Sequence, residues 1–126
     1  MSPYNVYEKN MTQIESKEDL LLATFDELLS KLNMVKIAIT EGLIEAKIKE
    51  LDKAILGLEV LRSSLDFEKG GEIAKNLDAI YAFCIDEIIK ANATNKVEYI
   101  NNALEVLKPI AEGFKESLKN PIASAS

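Results

Sequence analysis

Apolar residues recur at alternating spacings of four and three along most of the chain, which is the spacing of one face of an α-helix. No segment alternates with the period of two that marks a half-buried strand. Four runs with the helical spacing occur, and each is long enough for a bundle helix. Their members are Leu21, Phe25, Leu28, Leu32, Val35 and Ile39, widened by Leu22 and Leu29; then Ile44, Ile48, Leu51, Ile55, Leu58, Leu61 and Leu65; then Ile73, Leu77, Ile80, Cys84, Ile88 and Ala91; and last Val97, Ile100, Leu104, Leu107, Ala111, Phe114 and Leu118. The sequence therefore predicts an all-α fold.

Residues that start and stop helices lie between the runs. Ser16, followed three residues later by Asp19, is typical of a helix N-cap, and Gly42 of a helix end. Gly70-Gly71 is expected to form the second helix-to-helix turn, with one glycine at positive φ. Asn95, with Glu98 three residues on, is expected to cap the fourth helix. Because these connections are short, we expect successive helices to be antiparallel, as in an up-down-up-down four-helix bundle.

The two ends carry no helical pattern. We expect residues 1–15 to form a short N-terminal arm, residues 16–119 the bundle, and residues 120–126 a flexible tail. Pro109 lies inside the fourth run, where proline removes a helical hydrogen bond. The apolar pattern passes through Pro109 in phase, which predicts a kinked helix rather than a broken one.

Composition narrows the possible compartments and partners. The 126 residues suit one domain, and no apolar run reaches the roughly 18 residues of a membrane span. The single cysteine and the absence of a recognisable signal sequence indicate a cytoplasmic protein. The chain has 15 basic and 21 acidic residues, and Arg62 is its one arginine. A net charge of −6 without a basic cluster argues against binding to nucleic acid or to an anionic membrane surface, and the lack of a membrane-length apolar run argues against membrane insertion.

The residue types that carry most enzyme chemistry are missing. A chain without histidine lacks the commonest general base and metal ligand, and no glycine-rich phosphate loop follows a strand. The neighbouring carboxylates Asp26-Glu27 and Asp86-Glu87 diverge on a helix, so we interpret both pairs as solvated. Cys84 lies on an apolar helical face and is interpreted as a small buried hydrophobic residue. The sequence predicts no catalytic residue, no metal site and no cofactor.

Tyr4, Tyr7 and Met11 precede the first helix, in a segment too short to bury them by itself. In one interpretation the arm folds back and caps the bundle. In the other, these side chains cover or form an apolar surface for a partner. The two interpretations are compatible if a partner can displace the arm.

Two stretches resemble a known family. Pro3-Tyr4-Asn5-Val6-Tyr7-Glu8-Lys9-Asn10 resembles the Pro-Tyr-x-x-Tyr-x-x-Asn start of the flagellar secretion chaperone family, FliS. The stretch from Ser64 through Gly70-Gly71 and Asp78 to Tyr81 is similar to the most distinctive part of that family, and Ala91-Asn92 matches as well.

The resemblance implies a cytoplasmic four-helix chaperone without enzymatic activity. Such a protein would bind the C-terminal segment of flagellin, prevent premature polymerisation and deliver it to the flagellar type III export apparatus. The residues implied in partner binding are Tyr4, Tyr7, Asn10 and Met11. The alternative hypothesis is a non-enzymatic, homodimeric four-helix adaptor, which would not need an arm that bears tyrosines.

Overall fold

The computed structural model describes residues 16–119, and in this range the chain forms four α-helices and no strand. They are α1 (Lys17–Glu41), α2 (Ile44–Ser63), α3 (Phe67–Thr94) and α4 (Val97–Lys119). The all-α fold predicted from periodicity is confirmed.

The ends of α1 follow the sequence signals. The Asp19 N–H donates to Ser16 Oγ at 3.0 Å, which satisfies one of the free N–H groups of the first turn. Gly42 ends the helix with φ 72° and ψ 26°, the left-handed conformation that glycine adopts without strain.

Each helix packs against its neighbours in the chain, and α1 also packs against α4, which closes the ring. Cross-helix pairs give the directions. Arg62 of α2 contacts Asp78 of α3, whereas Lys47, earlier in α2, contacts Asn95 at the far end of α3. The other interfaces carry the contacts Lys31–Glu50, Cys84–Ala103 and Asp26–Lys115. The helices therefore form an up-down-up-down, antiparallel four-helix bundle.

The core runs along the bundle axis and is built almost entirely from aliphatic side chains. Its largest fully buried members come from all four helices: Leu28, Leu32, Val35, Leu58, Leu61, Cys84, Ile88, Ile100 and Leu107. The predicted burial of Cys84 is confirmed, and burial raises the pKa of its thiol to about 12.

The second connection differs from the prediction. α2 ends at Ser63 instead of continuing through Leu65, and α3 begins at Phe67 after the N-cap Asp66. The expected positive φ is present at Gly71 (φ 51°, ψ −126°), but Gly71 interrupts the first turns of α3 and does not join α2 to α3. Asp66 explains the early start, because its carboxylate accepts from the Glu68 and Lys69 N–H groups at 3.1 Å each.

The prediction that Asn95 caps α4 is wrong. Asn95 ends α3 in the left-handed conformation (φ 57°), and its N–H donates to the Ala91 carbonyl at 2.8 Å. Lys47 Nζ holds this turn from α2 by donating to Asn95 Oδ1 at 2.8 Å and to the Asn92 carbonyl at 3.2 Å. A long-range contact, which local spacing does not reveal, therefore decides the role of Asn95.

Three isoleucines assigned to inward faces are exposed: Ile44 (67%), Ile48 (47%) and Ile73 (71%). In α2 the buried face is turned toward Lys47, Leu51 and Ala54. The apolar period predicts that a helix is present. It does not predict which part of the apolar face packs into the core when that face covers a wide arc.

The expectation that both carboxylate pairs are solvated is wrong for one residue. Asp26, Glu27 and Asp86 are exposed, whereas Glu87 is buried between α3 and α4. The Asn102 amide of α4 donates to one Glu87 oxygen at 3.1 Å, and Lys90 donates to the other at 3.2 Å.

Pro109 lies inside α4, and the helix continues on both sides of it. The expectation that proline does not break this helix is confirmed.

Candidate partner-binding surface

One end of the bundle carries an apolar cavity of about 400 Å³, here called the end cavity. The first turns of α1, the α2–α3 connection, the first half of α3 and the second half of α4 surround it. Its lining residues are Lys17, Glu18, Leu21, Phe25, Leu61, Ser64, Leu65, Asp66, Lys69, Gly70, Ile73, Ala74, Leu77, Tyr81, Ile110 and Phe114.

Three aromatic rings line the end cavity. The Phe25 ring centroid lies 6.1 Å from that of Phe114 and 6.3 Å from that of Tyr81, with tilted planes. Such tilted pairs are a favourable aromatic arrangement and restrict the movement of the rings. Burial raises the pKa of Tyr81 to about 12, so this phenol stays neutral at physiological pH. The three rings therefore contribute apolar surface to the end cavity.

The wall of the end cavity depends on the break at Gly71. Because Gly71 takes a φ that side-chain-bearing residues rarely adopt, the short turn before it is directed differently from the rest of α3. Leu65, Asp66 and Gly70 from this turn and the connection before it all line the end cavity. Gly70 also has little space beside it, since an added Cβ would lie 2.8 Å from Ala74 Cβ.

A second apolar surface lies between α2 and α3. The Arg62 Nε donates to Asp78 Oδ1 at 2.8 Å, and this ion pair raises the pKa of Arg62. Ile55 lies seven residues before Arg62, and Ile85 lies seven residues after Asp78. Residues seven apart share a helical face, so in these antiparallel helices the two isoleucines lie opposite each other.

The same face continues toward the Lys47 end of the bundle. Ile48 lies seven residues before Ile55, and Ile89 lies one turn beyond Ile85. Ile48 and Ile89 are about half exposed (47% and 53%), whereas Ile55 and Ile85 pack partly against the core. We infer from this spacing that the four residues share one apolar face between α2 and α3, and we call it the isoleucine groove. An apolar groove between two helices is a usual docking place for an amphipathic partner helix.

A third surface lies between α1 and α2 on the outside of the bundle and encloses about 500 Å³. We call it the side groove. Leu20, Leu56 and Val60 are exposed there at 53%, 61% and 43%. The remaining lining residues are Ala23, Thr24, Glu27, Leu28, Lys53 and Gly57.

Tyr4, Tyr7, Asn10 and Met11, the residues predicted to bind a partner, lie outside the described residues. The structure does fix the point where their segment joins the bundle. Ser16 caps α1, and the next residues of the helix, Lys17 and Glu18, line the end cavity. The segment that bears the tyrosines is thus connected to the chain at the edge of this cavity.

The sequence analysis did not reveal the isoleucine groove as a surface, because Ile48 and Ile55 were assigned to an inward apolar run and Ile85 and Ile89 lay outside the runs. One signal was present for the isoleucine groove. Ile48, Ile55 and the charged Arg62 share a heptad position, and a charged residue on an apolar face indicates that part of the face is solvent-accessible.

Two further properties limit the kind of site present. Between residues 16 and 119, no cluster of three or more Cys, Asp or Glu side chains could hold a metal ion. None of the four helices is long and apolar enough to cross a membrane. Residues 16–119 do present exposed apolar surface, a common feature of proteins that bind another polypeptide, on a helical-bundle fold.

Comparison with known proteins identifies the family. Residues 1–121 match the model of the FliS family, described as flagellar protein FliS. The flagellar secretion chaperone FliS of Campylobacter jejuni is 31% identical over 117 residues, which is 93% of this chain and 91% of the relative. The FliS chaperones of Escherichia coli and Salmonella typhimurium are 33% and 35% identical over 107 and 102 residues, 84% and 80% of this chain and 79% and 76% of those relatives. The chain belongs to the FliS family.

Proposed function

We propose that this chain is a cytoplasmic export chaperone that binds the C-terminal segment of flagellin. It prevents premature polymerisation of flagellin and delivers it to the flagellar export apparatus. It acts by binding alone, without a cofactor and without catalysis. Membership of a family whose relatives are named flagellar secretion chaperones supports this proposal.

The observation that carries the proposal is the position of the stretch resembling the family's most distinctive part. Residues of the segment 64–81 form a large part of the end cavity: Ser64, Leu65, Asp66, Lys69, Gly70, Ile73, Ala74, Leu77 and Tyr81. Some of these apolar side chains stay accessible, since Ile73 is largely exposed and Leu65 and Leu77 pack only partly against the core. A binding role for this end of the bundle accounts for them.

Binding would use two of the surfaces together. Tyr4, Tyr7, Asn10 and Met11 contact the partner at or beside the end cavity, and the isoleucine groove takes one apolar face of a flagellin helix. A flagellin segment that orders only on binding loses conformational entropy, and contact over a large apolar area compensates for that loss. A segment engaged in this way is not free to join a filament.

A calorimetric titration with a flagellin C-terminal peptide tests the proposal. We expect one peptide per chain, and we expect Ile89→Gln in the isoleucine groove to weaken binding at least tenfold. Leu56→Gln in the side groove is the matched control, because it removes a similarly exposed apolar side chain from another face. Absence of heat with the parent protein, or equal affinity of the Ile89→Gln protein, would contradict the proposal.

Light scattering distinguishes the chaperone from the alternative, a homodimeric adaptor. A chaperone forms a stable one-to-one complex with full-length flagellin and slows its polymerisation. An adaptor of the alternative kind forms a complex with itself and leaves flagellin polymerisation unchanged.

A further inference from the structure

The isoleucine groove has a negatively charged edge on its α2 side. Asp52 lies four residues after Ile48, and Glu59 lies four residues after Ile55, so each carboxylate borders the apolar face of α2. Both acidic residues are exposed. They are seven residues apart and therefore lie about 10 Å from each other along the helix axis. We call Asp52 and Glu59 the acidic rim.

The charge of the acidic rim is not balanced by the bundle. Neither Asp52 nor Glu59 belongs to an ion pair within residues 16–119. The pKa of Arg62 is raised mainly by its hydrogen bond to Asp78, and the nearby Glu59 carboxylate adds to this effect. Two carboxylates therefore share one guanidinium at this end of the isoleucine groove, and an excess of negative charge remains.

The α3 side of the isoleucine groove is lined by small side chains. Ala82 lies three residues before Ile85, and Ala93 lies four residues after Ile89, so each borders the groove with a methyl group only. Asp86, which follows Ile85, is exposed and negative as well. The low wall on α3 lets a partner helix approach closely, and the acidic rim then lies along the opposite side of that helix.

We propose that the isoleucine groove selects a flagellin helix with two basic side chains seven residues apart, which pair with Asp52 and Glu59 while an apolar stripe contacts the isoleucines. The inference rests on the proposed function, which places a flagellin helix in this groove. Residues seven apart share a helical face, so their spacing on a partner helix that lies along α2 matches the spacing of the acidic rim.

The acidic rim acts on selectivity more than on affinity. Its carboxylates are exposed, and an exposed ion pair contributes little binding energy because water screens it. A helix with acidic side chains at the same two positions is instead repelled by both carboxylates. The acidic rim therefore discriminates between helices that have equally good apolar faces.

Calorimetric titration with two designed peptides tests the proposal without flagellin. Both peptides carry the same leucine stripe at helical spacing, and they differ in one pair of flanking residues seven apart, lysine in the first and glutamate in the second. We expect the lysine peptide to bind at least tenfold more tightly than the glutamate peptide. Ile89→Gln should weaken binding of the lysine peptide at least tenfold, which places this peptide in the isoleucine groove. Equal affinity of the two peptides, or binding of neither, would overturn the proposal.

Charge reversal on the protein shows whether the preference arises at the acidic rim. The double variant Asp52→Lys, Glu59→Lys should bind the glutamate peptide more tightly than the lysine peptide. The double variant Glu105→Lys, Glu112→Lys is the matched control, because these two exposed carboxylates are also seven residues apart and lie on α4. The control should keep the preference for lysine. A control that reverses the preference, or a rim variant that keeps it, would disprove the role of the acidic rim.

The flagellin C-terminal peptide separates this inference from the proposed function. Its affinity for the rim variant should be at least tenfold lower than for the parent, whereas the α4 control should bind it nearly as the parent does. Equal binding to parent and rim variant would overturn the role of the acidic rim and leave the proposed function in place. If the lysine peptide binds the parent and the flagellin peptide does not, the groove selects a helix of another protein and the proposed function fails.

Discussion

Glu87 keeps its negative charge inside the bundle because a donor lies at each of its carboxylate oxygens. The hydrogen bond from Asn102 is the main reason that the pKa of Glu87 lies below its usual range, and Lys90 adds to the effect. Asn102 belongs to α4 and Glu87 to α3, so this buried contact helps to hold the two helices together. Burial alone would have acted in the opposite direction.

Glu87→Gln tests this contact through pH. A carboxyl whose pKa is lowered on folding stabilises the protein above its ordinary pKa of about 4.3, and that contribution disappears as pH falls through the lower, folded value. At pH 7 we expect the variant to be less stable by about 1 kcal/mol, the usual scale for one intramolecular hydrogen bond. As the pH is lowered toward 3, this difference in stability between variant and parent should decrease. Urea unfolding at both pH values measures the difference in unfolding free energy between variant and parent.

Asp86→Asn is the control, because Asp86 is exposed beside Glu87 on the same helix. A gap between Glu87→Gln and parent that stays constant from pH 7 to pH 3 would mean that the charge of Glu87 does not stabilise the fold. The sequence could not separate these two neighbours. Their difference depends on Asn102, fifteen residues away on another helix.

At the scale of helices, the periodicity predicted α1 and α4 well and the first turns of α2 and α3 poorly. α1 has a strong cap at Ser16 and a glycine stop at Gly42, so local sequence fixes both ends. The beginning of α3 depends instead on Asp66. Nothing in the local sequence distinguished Asp66 as an N-cap from the neighbouring polar residues. The α2–α3 connection and the first turn of α3 both line the end cavity, so a sequence analysis that misplaced the start of α3 did not reveal this cavity.

Gly71→Val tests the break in α3. With φ 51° and ψ −126°, a β-branched residue is strained, and we expect a loss of more than about 1 kcal/mol. Lys69→Ala, on the exposed side of the same turn, should change stability by less than about 0.5 kcal/mol. Urea denaturation midpoints measure both. An unchanged midpoint for Gly71→Val would mean that α3 can run straight through this position.

Pro109→Ala should stabilise α4. Alanine restores a backbone donor and removes the ring that crowds the preceding turn, and proline costs up to about 3 kcal/mol inside an ideal helix. Because proline also restricts the unfolded chain by about 1 kcal/mol, we expect a net gain of about 1 kcal/mol or more, seen as a higher melting temperature. A loss of stability would show that the bundle packs around a bend at Pro109.

At the scale of the whole molecule, the bundle and the segment that bears the tyrosines are expected to have separate roles. The four-helix architecture followed from apolar spacing because that pattern repeats over many turns. The candidate surfaces could not be predicted from apolar spacing, because a surface residue and a core residue can share the same spacing. Leu77 illustrates the point, as it was assigned to the core and is half-buried at the end cavity.

Tyr7→Asp separates the two roles. The core residues in α1 to α4 remain unchanged, so helix content by circular dichroism should be retained and stability should change little. Affinity for the flagellin peptide should fall at least tenfold, or about 1.4 kcal/mol, because a carboxylate is placed against an apolar partner. Leu58→Ala provides the contrast: Leu58 is fully buried, and its truncation should cost about 2–5 kcal/mol of stability.

Two other outcomes of the Tyr7→Asp experiment would contradict this separation of roles. A Tyr7→Asp protein that binds as tightly as the parent would restrict the partner site to the helices. One that unfolds would place Tyr7 in the core.

Cys84 combines two properties that matter for studying the protein in solution. It is the one thiol of the chain, and its burial and raised pKa leave almost no thiolate to react with an alkylating dye at neutral pH. A cysteine introduced at an exposed position such as Ile37 or Asp86 would therefore be labelled selectively, without first replacing the native one. Fluorescent reporters could be placed on any face of the bundle in this way. The order in which a binding partner covers the faces could then be followed in real time.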